Sequence, residues 1–299
     1  MPETLRCSAH TRAVAVALFV TVLWSSSYVL VEVGLRSIPA LTFAGLRYGL
    51  AAVVLVAAMG YRGDHRALRE ASGRDWDVLV VLGVLLYALT QGAQFVALQH
   101  LPPATVSLVL TFTPIVVAVL SFPLLGELPN GRQLGGIALL FVGVAAYFHP
   151  FTVPASEVFG LAVMGVGLLG NALAAVFGRE ANRDAHLPSL AVTAVSTSVG
   201  AALLLGTGLL TQGLPTLGVD EWAIVGWLAV VNTAFAFTLW NRSLQHLSAV
   251  ESSVVNNTML VQVGAFGWVF LGVSLTPLDV AGMVLVTVGV VGVQVAGRR

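Results

Sequence analysis

The chain of 299 residues is far more apolar than a soluble protein, with 57% hydrophobic and only 9% charged residues, against roughly 45–50% and 25% in soluble domains. Its 14 basic residues are all arginine and balance 14 acidic ones, so the zero net charge excludes the electrostatic attraction on which nucleic-acid binding depends. The single Cys7 excludes an internal disulfide and gives no metal-ligand spacing. We expect neither a cofactor nor a metal site.

Ten apolar runs follow one another along the chain, most of them close to the ~20 residues that a helix needs to cross ~30 Å of hydrocarbon. Backbone groups in lipid must be bonded within their own segment, so each run is predicted to be a helix. The sequence therefore predicts an all-α integral membrane protein with ten transmembrane helices. The runs cover residues 13–31, 38–59, 76–98, 104–122, 132–148, 157–178, 189–211, 222–241, 250–272 and 277–296.

The segment from Trp76 to Val144 recurs without a gap from Trp222 to Val290, at an offset of 146 positions. Because Gln-His-Leu at 99–101 recurs at 245–247, the match exceeds what shared apolar composition would give. Each copy belongs to a set of five helices, an odd number, so the second set enters from the opposite face. We predict two inverted five-helix repeats. They cover 13–148 and 157–296, with a linker at 149–156 and cytoplasmic termini at 1–12 and 297–299.

The arginines lie almost entirely on one side of the predicted membrane. With the N-terminus inside, twelve fall in inside segments, Arg36 lies outside, and Arg47 lies within the second helix. Arginine and lysine favour the cytoplasmic side of a membrane. We therefore expect a multi-pass protein of the bacterial inner membrane with both termini in the cytoplasm.

Short motifs occur at several of these helices: Leu23-Trp24-Ser25-Ser26, Pro39 followed by Arg47, Thr113-Pro114, Leu125-Gly126-Glu127, and Gly136 through Gly143-Val144. Together they resemble the drug/metabolite transporter superfamily, and specifically its ten-helix EamA-type members. The second copy departs from the pattern, with Leu260 in place of a proline and Val273 in place of a glutamate. The resemblance implies a secondary transporter or exporter of small metabolites, such as amino acids or drugs, that works by alternating access.

Other functions compete with this interpretation. A sugar-phosphate or nucleotide-sugar carrier of the same superfamily is one, but a chain without lysine and with one arginine inside a span is poorly supplied for holding phosphate. An intramembrane enzyme or scaffold is another. All histidines fall outside the spans or at their ends, so no enzyme is expected. Glu32 and Glu251 lie near helix ends, which leaves coupling to a proton or another ion open, as is the choice between monomer and homodimer.

Arg47 is the most unusual residue within the predicted spans. A charge near the middle of a transmembrane helix costs about 2.5–3.5 kcal/mol, so something must compensate it. Two interpretations remain: Arg47 binds a substrate carboxylate, or it is tied to carbonyls or hydroxyls of neighbouring helices.

Other polar and aromatic side chains lie at helical spacing or at matching repeat positions. Trp24 and Tyr28 share one stripe of the first helix, and Gln91 and Gln94 share a face of the third. At the repeat offset Thr111 pairs with Asn257 and Ser25 with Asn171, as a site between two inverted halves requires. The predicted substrate-binding residues, lining one cavity between the repeats, are Trp24, Tyr28, Arg47, Gln91, Gln94, Thr111, Asn171 and Asn257.

Overall fold

The computed structural model describes residues 3–296 except 114, 118, 121–130, 150–153, 184–186, 245 and 248. Regular structure in this part of the chain is helical throughout, so the predicted all-α fold is confirmed for it. A short 3-10 helix, Asp64–Arg69, follows the second helix. The other helices, numbered in chain order, are α1 (Glu3–Gly34), α2 (Ala40–Arg62), α3 (Gly73–Leu82, continued by π-helical Gly83–Gln91 and by Gly92–Ala97), α4 (Pro103–Leu110), α5 (Gly131–Tyr147), α6 (Ala155–Arg183), α7 (Ser189–Thr211), α8 (Val219–Ala229, continued by π-helical Val230–Phe235 and by Ala236–Leu244), α9 (Ala249–Leu271) and α10 (Pro277–Ala296).

Six helical segments in the described residues are long and apolar enough to cross a membrane, judged by length and composition. They are His10–Gly34, Ala40–Arg62, Gly73–Ala97, Ala155–Phe177, Ser189–Thr211 and Val219–Trp240. Shorter apolar helices cover Pro103–Val117, Leu134–Tyr147, Val255–Leu271 and Pro277–Gly292. The total of ten spans and their inverted arrangement stay predictions. Pro114, the Leu125-Gly126-Glu127 motif, residues 150–153 of the linker and residues 297–299 lie outside the described residues.

The fourth helix differs from the single uninterrupted run predicted for 104–122. Helix α4 ends at Leu110, and the chain turns at Thr111 and Phe112. The next proline, Pro114, has no N–H to donate to the carbonyl oxygen of Leu110 four residues before it. The hydroxyl of Thr113 donates to that oxygen instead, at 2.7 Å.

Helices α3 and α8 have matching local structure at the repeat offset of 146. Near their starts, Asp75 accepts the backbone N–H of the residue three before it at 2.7 Å, and Glu221 does the same at 2.9 Å. Both helices then become π-helical, and residues 84–89 of the first π segment align with 230–235 of the second. The π-helix is rare and is often found at functional sites.

The chain packs as two compact units, each of which takes helices from both predicted repeats. The first unit comprises Met1–Val29, Pro102–Val158 and Ala236–Arg299. The second unit comprises Leu30–Leu101 and Phe159–Phe235.

In the first unit, α4, α5, α9 and α10 share an apolar core that includes Ala104, Leu108, Leu140, Leu260, Met283 and Val286. Helices α5 and α10 approach closely, because a Cβ added to Gly143 would lie 2.6 Å from the backbone nitrogen of Val286. Helices α1 and α9 are joined by polar groups: Ser25 donates to the side-chain oxygen of Gln262 at 2.9 Å, and Gln262 donates to Thr21 at 3.2 Å. Such bonds are a common means of joining helices in lipid.

In the second unit, α2 packs along α7 through glycine. A Cβ added to Gly45 would lie 2.6 Å from the backbone nitrogen of Leu205, so only glycine permits this approach. The start of α2 is capped by α7, because the side-chain oxygen of Gln212 accepts the N–H groups of Leu41 at 2.9 Å and Thr42 at 3.2 Å. These contacts fix the depth of α2, and therefore of Arg47, within the second unit.

Candidate functional site

Arg47 is the eighth residue of α2 and lies on its buried face, with 5% of its surface exposed. Its Nε donates a hydrogen bond of 3.2 Å to the hydroxyl of Thr233 on α8. The predicted tie to a hydroxyl of another helix is therefore present for one of its nitrogens.

Thr233 can accept this bond because its own proton is used elsewhere. In the π segment of α8, its hydroxyl donates to the carbonyl oxygen of Leu228, five residues earlier, at 2.8 Å. In the π segment of α3, Thr90 makes the same bond to Leu85 at 2.8 Å. The wider π turn brings the carbonyl of the fifth preceding residue within reach. The hydroxyl oxygen of Thr233 is thereby oriented as an acceptor for Arg47.

Aromatic rings supply the second compensation for the buried charge. The guanidinium carbon of Arg47 lies 5.2 Å from the ring centroid of Tyr48 and 5.8 Å from that of Phe95. Each such cation–π contact contributes about 0.5–2 kcal/mol, the larger values applying away from water. The Tyr48 ring also lies 5.8 Å from the Tyr87 ring on α3. Residues of α2, α3 and α8 thus surround the guanidinium.

These contacts use only one of the N–H donors of the Arg47 guanidinium. Arginine carries five N–H donors in a planar fork that matches the two oxygens of a carboxylate. Among the residues that the structure describes, only Nε of Arg47 is hydrogen-bonded to protein, and no carboxylate forms an ion pair with it. The four N–H groups on Nη1 and Nη2 can therefore serve an anion that is not part of the described chain.

The other predicted residues of the second unit are Gln91, Gln94 and Asn171. Gln94 is 7% exposed and Gln91 is half-buried, and neither side chain is hydrogen-bonded within the described residues. Asn171 is half-buried on α6. Together with Arg47, four of the eight predicted residues therefore lie in the second unit.

The remaining four, Trp24, Tyr28, Thr111 and Asn257, lie in the first unit. Thr111 and Tyr28 are buried, and the hydroxyl of Thr111 donates to the carbonyl oxygen of Leu108 at 2.6 Å. Asn257 is 7% exposed, and its side-chain NH₂ has no acceptor among the described residues. A buried amide without a partner is uncommon in proteins. That all eight residues line one cavity stays a prediction.

Sequence reasoning missed two aromatic neighbours of Trp24. The rings of Phe237 and Trp240 on α8 each lie 5.1 Å from the Trp24 ring. Phe237 and Trp240 lie 146 positions after Gln91 and Gln94, respectively, so the repeat offset could have identified them. The same offset pairs the missed Thr233 with Tyr87, whereas no pattern in the sequence pointed to Phe95.

The sequence matches the EamA-like transporter family twice, over residues 11–148 and 158–295. It is 26% identical over 280 residues to the uncharacterized transporter YoaV of Bacillus subtilis, covering 91% of this chain and 92% of that one. It is 24% identical to an S-adenosylmethionine/S-adenosylhomocysteine transporter of Chlamydia trachomatis, covering 92% and 88%.

It is also 26% identical to a probable terminal-alkyne amino-acid exporter of Streptantibioticus cattleyicolor, covering 97% of this chain and 94% of that one. A solved crystal structure shares the fold, with a TM-score of 0.71 at 20% identity over 96% of this chain and 97% of that one. Because the family match covers nearly the whole sequence, the chain belongs to the EamA-like transporter family, whose members are multi-pass membrane transporters of small molecules and not enzymes.

Proposed function

We propose that this protein is a secondary transporter that moves small carboxylate-bearing metabolites, namely amino acids or compounds built on them, by alternating access. The observation that carries the proposal is Arg47, a buried guanidinium whose two terminal nitrogens bond no group of the described chain. A carboxylate is the natural partner of that fork, because it accepts two parallel hydrogen bonds.

The relatives' substrates agree with this chemistry. S-adenosylmethionine, S-adenosylhomocysteine and an alkyne amino acid are named for two of the similar transporters. These compounds share an α-amino carboxylate and differ in the rest of the molecule. A site that holds the carboxylate through one arginine would suit this class.

The proposed architecture is ten transmembrane helices in two inverted five-helix repeats, with both termini in the cytoplasm of a bacterial cell. Support comes from the double family match, from the matched caps and π segments of α3 and α8, and from the one-sided arginines. Inverted repeats can exchange conformations, so a site can open to each face of the membrane in turn.

Within this proposal each predicted residue has a role set by its chemistry. Arg47 binds the carboxylate, while Gln91 and Gln94 hydrogen-bond polar groups of the substrate. Asn257 donates from the NH₂ that has no acceptor in the described residues. Trp24 and Tyr28 contact its apolar part, and Thr111 and Asn171 complete the polar lining. A sugar-phosphate carrier is less well supported, since Arg47 is the one arginine away from the ends of the six full-length spans of the described chain; Arg12, Arg62 and Arg74 lie within two residues of a span end.

The test is uptake by proteoliposomes of radiolabelled L-amino acids, S-adenosylmethionine and S-adenosylhomocysteine, each compared with an amine that lacks the carboxylate. We expect uptake of at least one carboxylate compound and none of its decarboxylated partner. Arg47→Leu should abolish this uptake, because the substrate loses its only guanidinium partner.

The matched control is Arg66→Leu, which makes the same change at an exposed arginine of the 3-10 helix. It should transport as the wild type does. Equal uptake of an amino acid and its amine, or full activity of a folded Arg47→Leu protein, would refute the proposed carboxylate site.

A further inference from the structure

Two aromatic rings contact the guanidinium of Arg47, and only one of them carries a polar group. The guanidinium carbon lies 5.2 Å from the ring centroid of Tyr48 and 5.8 Å from that of Phe95. The cation is attracted by the face of each ring, so a phenylalanine is sufficient for this contact, as position 95 shows. The hydroxyl of Tyr48 is therefore not needed to compensate the charge of Arg47.

The hydroxyl of Tyr48 is buried without a hydrogen bond. Tyr48 is 2% exposed, and its hydroxyl has no hydrogen-bond partner among the residues that the structure describes. The neighbouring Tyr87 differs, since its hydroxyl lies beside that of Thr197. Burying a hydroxyl away from water without a partner destabilises a folded protein, and most buried polar groups are paired. An acceptor from outside the described chain would remove this cost.

The packing of α2 against α3 fixes the Tyr48 ring beside the guanidinium. The ring lies 5.8 Å from the ring of Tyr87 and 6.5 Å from that of Phe95, at interplanar angles of 67° and 68°. The guanidinium of Arg47 lies over the face of the Tyr48 ring, whereas the hydroxyl lies in the plane of that ring. The two groups are thus close enough for the charge of Arg47 to act on the hydroxyl, but they are not bonded to each other.

This arrangement gives one anion two kinds of donor. The terminal nitrogens of Arg47 carry four N–H groups without a partner in the described chain, and a neutral tyrosine adds one O–H. A carboxylate has two oxygens and about four lone-pair sites, so it can accept from a guanidinium and a hydroxyl at the same time. Hydrogen bonds to a charged acceptor are roughly twice as strong as neutral ones, which offsets the burial of the hydroxyl.

We propose that the hydroxyl of Tyr48 donates a hydrogen bond to the carboxylate that Arg47 binds, so that Tyr48 is a further substrate-binding residue. The inference rests on the proposed function and deepens it by adding a second donor to the carboxylate site. A chloride ion would also suit these donors, and the experiment below separates it from the substrate carboxylate.

The experiment compares Tyr48→Phe with Tyr147→Phe in proteoliposomes, using radiolabelled S-adenosylmethionine, S-adenosylhomocysteine and the L-amino acids as separate probes. Tyr48→Phe keeps the ring that contacts Arg47 and removes only the hydroxyl. Tyr147 is the matched control, because its hydroxyl is hydrogen-bonded to Thr105 at 3.1 Å in the first unit.

For the probe taken up in an Arg47-dependent manner, Tyr48→Phe should raise KM about 10- to 100-fold, the effect of losing one hydrogen bond to a charged group. The maximal rate should change much less, because the lost bond serves substrate binding. Tyr147→Phe should leave KM unchanged. Equal KM values for Tyr48→Phe and the wild type would refute the role of Tyr48.

A purely structural role of the Tyr48 hydroxyl is separated by thermal unfolding without substrate. Tyr48→Phe should melt at or above the temperature of the wild type, because the removed hydroxyl has no partner in the described chain, whereas Tyr147→Phe loses its bond to Thr105 and should melt lower. A lower melting temperature of Tyr48→Phe together with an unchanged KM would assign the hydroxyl to the fold and overturn the proposal.

Chloride is separated by repeating uptake with isethionate in its place. An increase in KM of Tyr48→Phe that disappears without chloride would assign the hydroxyl to chloride and overturn the proposal. An increase that persists supports the bond to the carboxylate.

The remaining outcomes distinguish the role of Tyr48 from the proposed function. If Arg47→Leu abolishes uptake while Tyr48→Phe and Tyr147→Phe both keep the KM of the wild type, the role of Tyr48 is refuted and the proposed function stands. If the wild type takes up no carboxylate compound of the panel, or if a folded Arg47→Leu protein remains fully active, both are refuted.

Discussion

Gly200 is the position at which a single added methyl group tests the packing around Arg47. A Cβ at Gly200 would overlap the Cβ of Tyr87 and lie 2.7 Å from the carbonyl oxygen of Gly83. Both neighbours belong to the backbone region of the α3 π segment, so neither can rotate away. Overpacking of this kind costs about 1–3 kcal/mol. Gly200→Ala should therefore push α3 away from α7 and displace Tyr87 from Tyr48.

The same helix provides the control. A Cβ at Gly206 of α7 would meet no atom within 4 Å. Gly200→Ala and Gly206→Ala gain the same helix propensity, about 1 kcal/mol. The difference between their free energies of unfolding thus isolates the overpacking cost, and we expect Gly200→Ala to be less stable by about 1–3 kcal/mol.

The assay is thermal unfolding of both purified variants in the same detergent, together with substrate uptake in proteoliposomes. Gly206→Ala should be at least as stable as the wild type and fully active. Gly200→Ala should melt several degrees lower than Gly206→Ala, with about 2–4 °C for each kcal/mol, and should transport more weakly. Equal melting temperatures for the two variants would refute the close contact between α7 and the π segment of α3.

Three further predictions follow from contacts in the two units. Thr233→Val keeps the side-chain shape but removes the acceptor for Arg47, so we expect a loss of about 1.5–3 kcal/mol in thermal unfolding and reduced uptake; equal stability would show that the bond is not formed. Gln262→Leu removes two bonds between α1 and α9 and a third to Thr258 of its own helix, so it should cost about 1–2 kcal/mol at roughly 0.6 kcal/mol per bond, measured in the same way; an unchanged melting temperature would count against these bonds. Reporter enzymes fused within 149–156 and at the C-terminus should report opposite sides of the membrane, and a result placing both on one side would contradict ten spans.

Most of the helical fold could be predicted from hydropathy, because the solvent of a membrane protein imposes long apolar runs. The predicted run 189–211 matches α7, and 277–296 matches α10. The π segments of α3 and α8 could not be predicted in this way. A change from α to π hydrogen bonding alters which carbonyl each N–H reaches while the residues remain equally apolar. The turn in α4 did have a signal, since Pro114 removes a backbone donor.

The candidate site could be predicted only in part, because residues that meet in the fold are far apart in the sequence. Arg47 was identified because a charge in lipid must be compensated, and the family prediction drawn from motifs was confirmed. Its partners are distant in sequence: Thr233 is 186 residues away. Hydropathy carries no information about which hydroxyl meets which arginine. The two packing units also mix helices of both repeats, so the order of the chain does not reveal neighbours.

The repeat offset shows how one scaffold holds different chemistry in its two halves. Gln91 and Gln94 on α3 correspond to Phe237 and Trp240 on α8, so amides in one repeat replace rings in the other. Their neighbours differ accordingly. In the first unit, the rings of Phe237 and Trp240 pack against Trp24. In the second unit, Gly170 stands at the repeat position of Trp24, and a Cβ added there would lie 2.9 Å from the side chain of Leu89 on α3.

The two repeats also differ in whether their second helix carries a charged side chain. Helix α2 contributes Arg47, while the corresponding helix of the second repeat, α7, contains no charged residue at all. Two symmetric arginines would double the cost of burying charge and would repel each other. A single guanidinium, held at Nε by Thr233 from the second repeat, has terminal nitrogens free of bonds to the described chain, and under the proposed function it forms the one anion site. In the transporter that we propose, the duplicated backbone would supply the frame for two conformations, and the unequal side chains would restrict the carboxylate to one position within it.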